Sequence, residues 1–252
     1  SKESEISVYD VKFRFLGKAA HAGDYPHLGR SALDAVELMN SGVNYLREHV
    51  TDKVRMHYVI TKGGTLPNVV PEEAEVWYFI RAFKRDELDE VFNRVRKIAE
   101  GAALMTETKV EETINGACSC MIANHHLADM LYTSLEESGP IQFTEEEKTW
   151  AATINQSYEQ EAIDALMSKV GVPEALEHKK KEILSQPVIG EIFPCANEGN
   201  ISTGSTDLGD VSLIAPTGVV YTACWATGAT AHNWQIAATT GMSIGHKGMI
   251  LA

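Results

Sequence analysis

The sequence predicts a mixed α/β (α+β) protein. Its first part, residues 6–116, has the ferredoxin-like order β-α-β-β-α-β. Two observations predict this. Four segments there alternate apolar and polar residues, as half-buried strands do, and two others repeat apolar residues at helical spacing. A third observation sets the limit of that part. Past residue 116 the alternation gives way to helical stretches and short apolar runs between Gly-containing loops. Residues 117–252 are therefore read as a second domain, and an incomplete one.

The first strand is "VYDVKFRFL", residues 8–16. Val11, Phe13 and Phe15 share one face and Lys12 and Arg14 the other. A helix is expected over about 29–50, where Ala32, Val36, Met39, Val43 and Leu46 recur on one side. "VRMHYVITKGG" is the second strand, with Val54, Met56, Tyr58 and Ile60 inward, ended by Gly63-Gly64 and Pro67. "EEAEVWYFIRAF" is the third. Asp86 offers an N-cap to the second helix, whose apolar face is Leu88, Val91, Val95, Ile98 and Ala102. "TETKVEETING" closes the unit as the fourth strand. Two helices cover one face of such a sheet, so the other face must meet solvent, a subunit or another domain.

The second part opens with "NHHLADMLYTSLEESG", a helix stopped by Gly139-Pro140. "TEEEKTWAATINQSYEQEAIDALMSKVG" reads as a longer helix, and residues 171–187 as a charged, solvated excursion. The runs "PVIGEIF", "DVSLIAPT" and "VVYTACWA" read as two or three short strands. A helix from about 233 closes the chain.

Composition excludes some functions. The chain of 252 residues carries a net charge of −13, which disfavours nucleic acid as a partner. No apolar run reaches the ~18 residues that span a bilayer. The polar opening "SKESEISVYD" is not a signal peptide. Four cysteines, at 118, 120, 195 and 224, form no C-x-x-C pair and read as the reduced thiols of a cytosolic protein.

Four loops hold candidate chemistry. His21 follows the first strand in "GKAAHAGDYPHLGRSALDA". Asn68 lies in the Pro-bracketed "LPNVVP", and Arg81 follows thirteen residues later. "NISTGSTDLGDVS" packs Ser205, Thr206, Asp207 and Asp210 together. His232 sits in "TGATAHNWQ" before the last helix. Taken singly, each has an ordinary reading. A loop histidine is mostly a capping or solvated group, Asn68 a turn residue, Arg81 a surface charge and "GSTDLGD" a hydrogen-bonded turn. The histidines at 27, 49, 57, 125, 126 and 178 are read as structural. His246 in "IGHKGM" is left open.

In combination these loops resemble the family of zinc-dependent amidohydrolases and peptidases that includes glutamate carboxypeptidase, acetylornithine deacetylase and aminoacylase. "GSTDLGDVS", "TACWA", "HNWQ" and "HKGM" look most like its aminobenzoyl-glutamate-hydrolysing branch. The resemblance implies a ferredoxin-like lid followed by the C-terminal part of an α/β zinc-peptidase-like catalytic domain. In the complete enzyme it implies two divalent ions, zinc or manganese, and a metal-bridged water. It gives His232 as one metal ligand, and His21 as a hydrogen-bond donor to the oxyanion, reaching across a dimer. Asn68, Ser205, Thr206 and Asp207 would line the substrate site, and Arg81 would bind a glutamate-like carboxylate. The expected substrate is an N-acyl or aminobenzoyl-glutamate type amide, and the expected assembly a homodimer through the lid.

The remaining metal ligands are missing from the sequence. It has no His-x-Asp or His-x-Glu motif. Its acidic doublets, Glu72-Glu73, Glu111-Glu112 and Glu136-Glu137, do not follow a catalytic strand. The chain is thus expected to lack the family's N-terminal half and its last segment, to hold no metal stably and to be inactive alone. Two other readings stay open: a non-catalytic dimerisation or binding module, and a relative that cleaves another N-acyl amino acid or a dipeptide.

Overall fold

The structure is a computed structural model and describes residues 1–159, 161, 178–194, 198–229 and 232–252. The chain divides into two compact units. One comprises residues 4–122 and 201–215, the other residues 1–3, 123–200 and 216–252.

The first unit is built on four strands: β2 (Ser7–Leu16), β3 (Arg55–Lys62), β4 (Glu73–Ala82) and β5 (Lys109–Cys118). They form one antiparallel sheet in the order β3-β4-β2-β5, the ferredoxin-like arrangement. The alternation read from the sequence decides which face is buried. Tyr9, Val11, Phe13 and Phe15 of β2 and Ala74, Val76, Tyr78 and Ile80 of β4 point into the core. There they meet helix α1 (Ala32–Leu46) and helix α2 (Arg85–Thr106). Each large apolar side chain so buried contributes about 1.5–3 kcal/mol. Ser31 caps α1 by accepting the amide of Asp34 at 3.1 Å. Helix α2 starts two residues earlier than expected. Its N-cap is Lys84, and Asp86 lies in the first turn, accepting the amide of Glu87 at 2.9 Å. Tyr78 donates to the buried Asn40, satisfying both groups inside the core.

The second strand departs from expectation. Val54 and Met56 are buried, but Tyr58 and Ile60 are 39% and 40% exposed. β3 is an edge strand, and Val59 is exposed beside them on its other face. Periodicity sorts a strand's two faces but does not say how far along an edge strand the covering helices extend.

A short parallel ladder ties the returning segment to this unit. β1 (Ser4–Glu5) pairs with β6 (Ile201–Ser202). Ile6 donates to Gly204 O at 3.1 Å and the amide of Ser119 to Asp210 Oδ1 at 3.2 Å. Gly209 packs so closely that an added Cβ would lie 1.9 Å from Ser119 O. The predicted boundary at 116/117 assigns residues 201–215 to the second domain; these bonds join them to the first unit.

The second unit contains helix α3 (His125–Ser138), capped by Asn124 and ended by Gly139 at φ 80°, and helix α4 (Glu145–Asn155). A capping box, Thr144 with Glu147, starts α4. The rest of the predicted longer helix falls largely on residues outside those described. Within the predicted solvated excursion, Lys180–Leu184 is a helical turn that buries Ile183 and Leu184. The three apolar runs read as strands form none among the described residues; "DVSLIAPT" instead contributes to a short helix, Leu208–Ser212, in the first unit. A strand needs a hydrogen-bonding neighbour, which a one-segment pattern does not reveal. The predicted closing helix is two, Trp234–Thr240 and Ser243–Leu251. The break permits a close approach: a Cβ on Gly245 would sit 2.0 Å from Thr240 O.

Candidate functional site

The face of the sheet away from the helices carries Glu73, Glu75, Trp77, Phe79 and Arg81 of β4, the partly exposed set of its alternation. On this face the register sets Arg55 and Val8 beside Arg81, His57 and Asp10 beside Phe79, and Val59 and Lys12 beside Trp77.

Arg81 lies at one end. Its Nη1 donates to Thr203 O at 2.9 Å, its guanidinium lies 5.7 Å from the Phe79 ring centroid, and its Nε is buried without a hydrogen-bond partner among the described residues. Ser205 Oγ, two residues beyond Thr203, is likewise buried and without one. Arg55 and Arg47 stand close by, giving their bonds to backbone carbonyls of Val54 and Met56 at 2.8 and 2.6 Å. No carboxylate pairs with any of these three arginines among the described residues. Burial, and then the charges of Arg81, Arg47 and Arg55, push the His57 imidazole below its usual range. Trp77 and Phe79 meet edge to face at 5.7 Å, and Trp77 donates to Asp10.

The other end of the face is self-compensated. Arg14 pairs with Glu73 at 2.7 Å and Lys12 with Glu75 at 3.1 Å. The hydrogen bonds from Arg14 and Lys62 hold the Glu73 carboxyl down at about 2.

Beyond that end the loops after β2 and before β4 run side by side. His21 bridges Val69, Ala22 donates to Asn68 O at 2.9 Å, and Val70 donates to Ala20 O at 2.9 Å. This brings His21 and Asn68 together, as two loops at the same sheet end must be. The His21 Nδ1 accepts the amide of Asp24 at 3.0 Å. A neutral imidazole in that bond carries its proton on Nε2, which is therefore the donor it presents. Asn68 is exposed.

Structure thus sorts the sequence candidates into three places. His21 and Asn68 share one end of the sheet. Arg81 and Ser205 share the other, and Thr206 and Asp207 follow in the same loop, Thr206 donating to Asp207 Oδ1 at 3.2 Å. His232 belongs to the second unit; it is exposed and has a left-handed φ of 65°, one residue before Asn233, which caps Trp234–Thr240. His246 is exposed in the last helix. Sequence reasoning does not single out His57 and Arg55. The signal is in the sequence, because strand alternation puts both on the Arg81 face, but their register against Arg81 is not. Among the described residues, no three His, Cys, Asp or Glu side chains converge as a metal site.

Residues 7–106 match the model of a peptidase dimerisation domain of the M20 family. The chain is also 42% identical over 250 residues to a p-aminobenzoyl-glutamate hydrolase component of Escherichia coli (strain K12), covering 96% of this chain and 51% of that protein. The chain belongs to the M20 peptidase family. An indole-3-acetyl-aspartic acid hydrolase of Enterobacter agglomerans is 34% identical over 105 residues, 42% of this chain and 24% of that protein. Among solved structures, an aminobenzoyl-glutamate utilization protein from Klebsiella pneumoniae aligns with a TM-score of 0.46 at 28% identity, covering 52% of this chain and 33% of that one. The chain spans about half the length of the E. coli relative and less of the others. Among the described residues, no helix is long and apolar enough to cross a membrane.

Proposed function

We propose that this chain supplies the lid and substrate-holding residues of a metal-dependent amidohydrolase acting on an acidic amino acid joined to an acyl group, of the aminobenzoyl-glutamate type. The observation that carries the reading is Arg81, an arginine on an exposed sheet face with a buried, unpartnered Nε and no carboxylate partner among the described residues. A guanidinium so placed suits the bidentate grip of a ligand carboxylate. Both named relatives support it, since p-aminobenzoyl-glutamate and indole-3-acetyl-aspartic acid are each an acidic amino acid on an aromatic acyl group.

His21 supplies the Nε2–H donor for the oxyanion that forms at the scissile carbonyl, with Asn68 beside it. Ser205, Thr206 and Asp207 line the Arg81 end. His21 and Arg81 do not serve one substrate within a single chain. Glu73 and Arg81 are eight residues apart on β4, roughly 26 Å at the rise of a strand, and His21 lies past Glu73. A homodimer, in which one copy's His21 meets the other's Arg81, resolves the distance. The exposed apolar edge strand β3 and the dimerisation-domain match favour such pairing.

The metal belongs to the complete enzyme. When bound, zinc or manganese would activate water and polarise the carbonyl. His232 is the one ligand assigned from this chain, and the described residues do not form a two-metal set around it. This chain's own part is therefore to bind, orient and donate a hydrogen bond. Its free cysteines, 118, 120 and 224 among the described residues, suit a reducing, cytosolic compartment.

A chimera tests the reading: this chain replaces the matching half of the E. coli relative, and p-aminobenzoate release is followed. Hydrolysis that Arg81→Ala reduces mainly through KM supports it. A dimeric, folded chimera in which Arg81→Ala changes nothing overturns it.

A further inference from the structure

We propose that Phe79 and Trp77, with His57 across the strand, form a shelf that selects an aromatic acyl group on the substrate whose carboxylate Arg81 holds. The inference rests on the Arg81 reading and adds to it the part of the site that reads the acyl side.

The shelf stands on the same face of β4 as Arg81, at the positions two and four residues before it. Each such step is about 7 Å along a strand. A carboxylate and an aryl ring joined through one α-carbon and one amide span a comparable distance. A ligand anchored at Arg81 and lying along the strand therefore brings its ring over Phe79, with Trp77 next. A shallow cavity of about 260 Å³ lies here, lined by His57, Val59, Trp77 and Phe79 together with Tyr58 and Tyr78.

Three features fit this place to an aryl ring rather than to a plain aliphatic acyl group. Trp77 and Phe79 are held edge to face at 5.7 Å, the geometry that extends naturally to a third ring. Trp77 is fixed by its bond to Asp10, which also accepts from Asn115 at 2.9 Å, so the shelf is rigid before a ligand arrives. His57 stands directly beside Phe79 with its imidazole kept toward the neutral form, so it offers a flat ring and not a competing cation.

Charge sets the direction of the ligand. The Arg81 end gathers Arg81, Arg55 and Arg47 without a carboxylate partner among the described residues, whereas the Glu73–Glu75 end is already paired. In a chain of net charge −13 the unpaired cationic end is where a ligand's acid group goes, and the ring then points along the strand toward Trp77.

Calorimetric titration of this chain with p-aminobenzoyl-glutamate and with N-acetyl-glutamate tests the shelf. The aromatic amide is expected to bind about three- to tenfold more tightly, the worth of one or two good ring contacts. Phe79→Ala, and Phe79→Leu, which keeps apolar bulk and so guards against misfolding, should bring the ratio of the two affinities close to one. Arg81→Ala should weaken both ligands together. Equal affinities in the parent chain, or an unchanged ratio in both Phe79 variants, overturns the shelf while the Arg81 reading stands. If neither ligand binds the parent chain, or Arg81→Ala weakens neither, both fall.

Discussion

The two ends of the open sheet face each gather three cationic side chains and use them in opposite ways. At the Glu73 end each cation has found a carboxylate: Arg14 and Lys62 on Glu73, Lys12 on Glu75. At the Arg81 end the cations bond backbone carbonyls, and two buried polar atoms, Arg81 Nε and Ser205 Oγ, have no partner among the described residues. The first end is finished as it stands. The second keeps unmet polar atoms, and a buried donor without an acceptor costs about 1–3 kcal/mol; the ligand carboxylate proposed above would be taken by the rest of the Arg81 guanidinium. The lesson is that similar sets of cations can differ in what they leave unmet: one end is satisfied by carboxylates of this chain, and the other is not.

The largest test uses both ends at once. In the E. coli chimera, His21→Ala should lower the rate of p-aminobenzoate release by about 10²–10³, the usual loss for one oxyanion donor. Assayed at substrate far below the KM of the Arg81→Ala variant, mixing His21→Ala and Arg81→Ala subunits should restore about a quarter of parental activity, because random pairing makes half the dimers mixed and each has one intact site. No recovery on mixing would place both residues in the same copy's site and break the comparison.

Both ends rest on one core, so Phe13→Ala beneath them should cost about 3–5 kcal/mol and unfold them together in denaturant. Separate loss of the Trp77 signal and of β5 amide protection would show that the sheet is not a single cooperative platform.

A smaller effect follows from His57. Its folded pKa is depressed, so as pH falls below 6.5 the unfolded chain takes up the proton first and stability declines. His57→Gln should flatten that slope, measured as urea midpoints between pH 7.5 and 5.5. An unaltered slope would mean that the Arg81 end does not bear on His57 as described.

The smallest belongs to the finished end. Glu73→Gln should barely move the denaturation midpoint at pH 7, because exposed ion pairs contribute little. What difference exists is expected above pH 4.5 and should vanish as pH falls through about 2, where the Glu73 carboxyl takes its proton. A large loss at pH 7 would show that this network, rather than the core, orders the sheet end.

Much of the first unit is legible in the sequence. The alternation in β2 and β4 and the helical spacing of Val36, Met39 and Val43 name core residues, and all are buried. The capping box at Thr144 and Glu147 is equally readable, as a Thr three residues before a Glu ahead of an apolar run. Tyr58 and Ile60 mislead because an edge strand keeps its pattern where its cover stops. The break at Gly241 is hidden because it depends on a backbone approach between Gly245 and Thr240. His57 and Arg55 are hidden because their role lies in which residue of β4 stands opposite.

The sequence by itself determined the order of the main strands and helices in the first unit, the faces that β2 and β4 bury, and which side chains could do chemistry. Those are local properties, set by the two-residue and 3.6-residue repeats of the backbone. Only the tertiary structure decided that His21 and Asn68 meet at one sheet end while Arg81 stands at the other. It alone carried residues 201–215 back to the first unit and left Arg81 Nε without a partner among the described residues. Those facts depend on register and on contacts between segments far apart in the chain, and no repeat along the chain encodes such contacts.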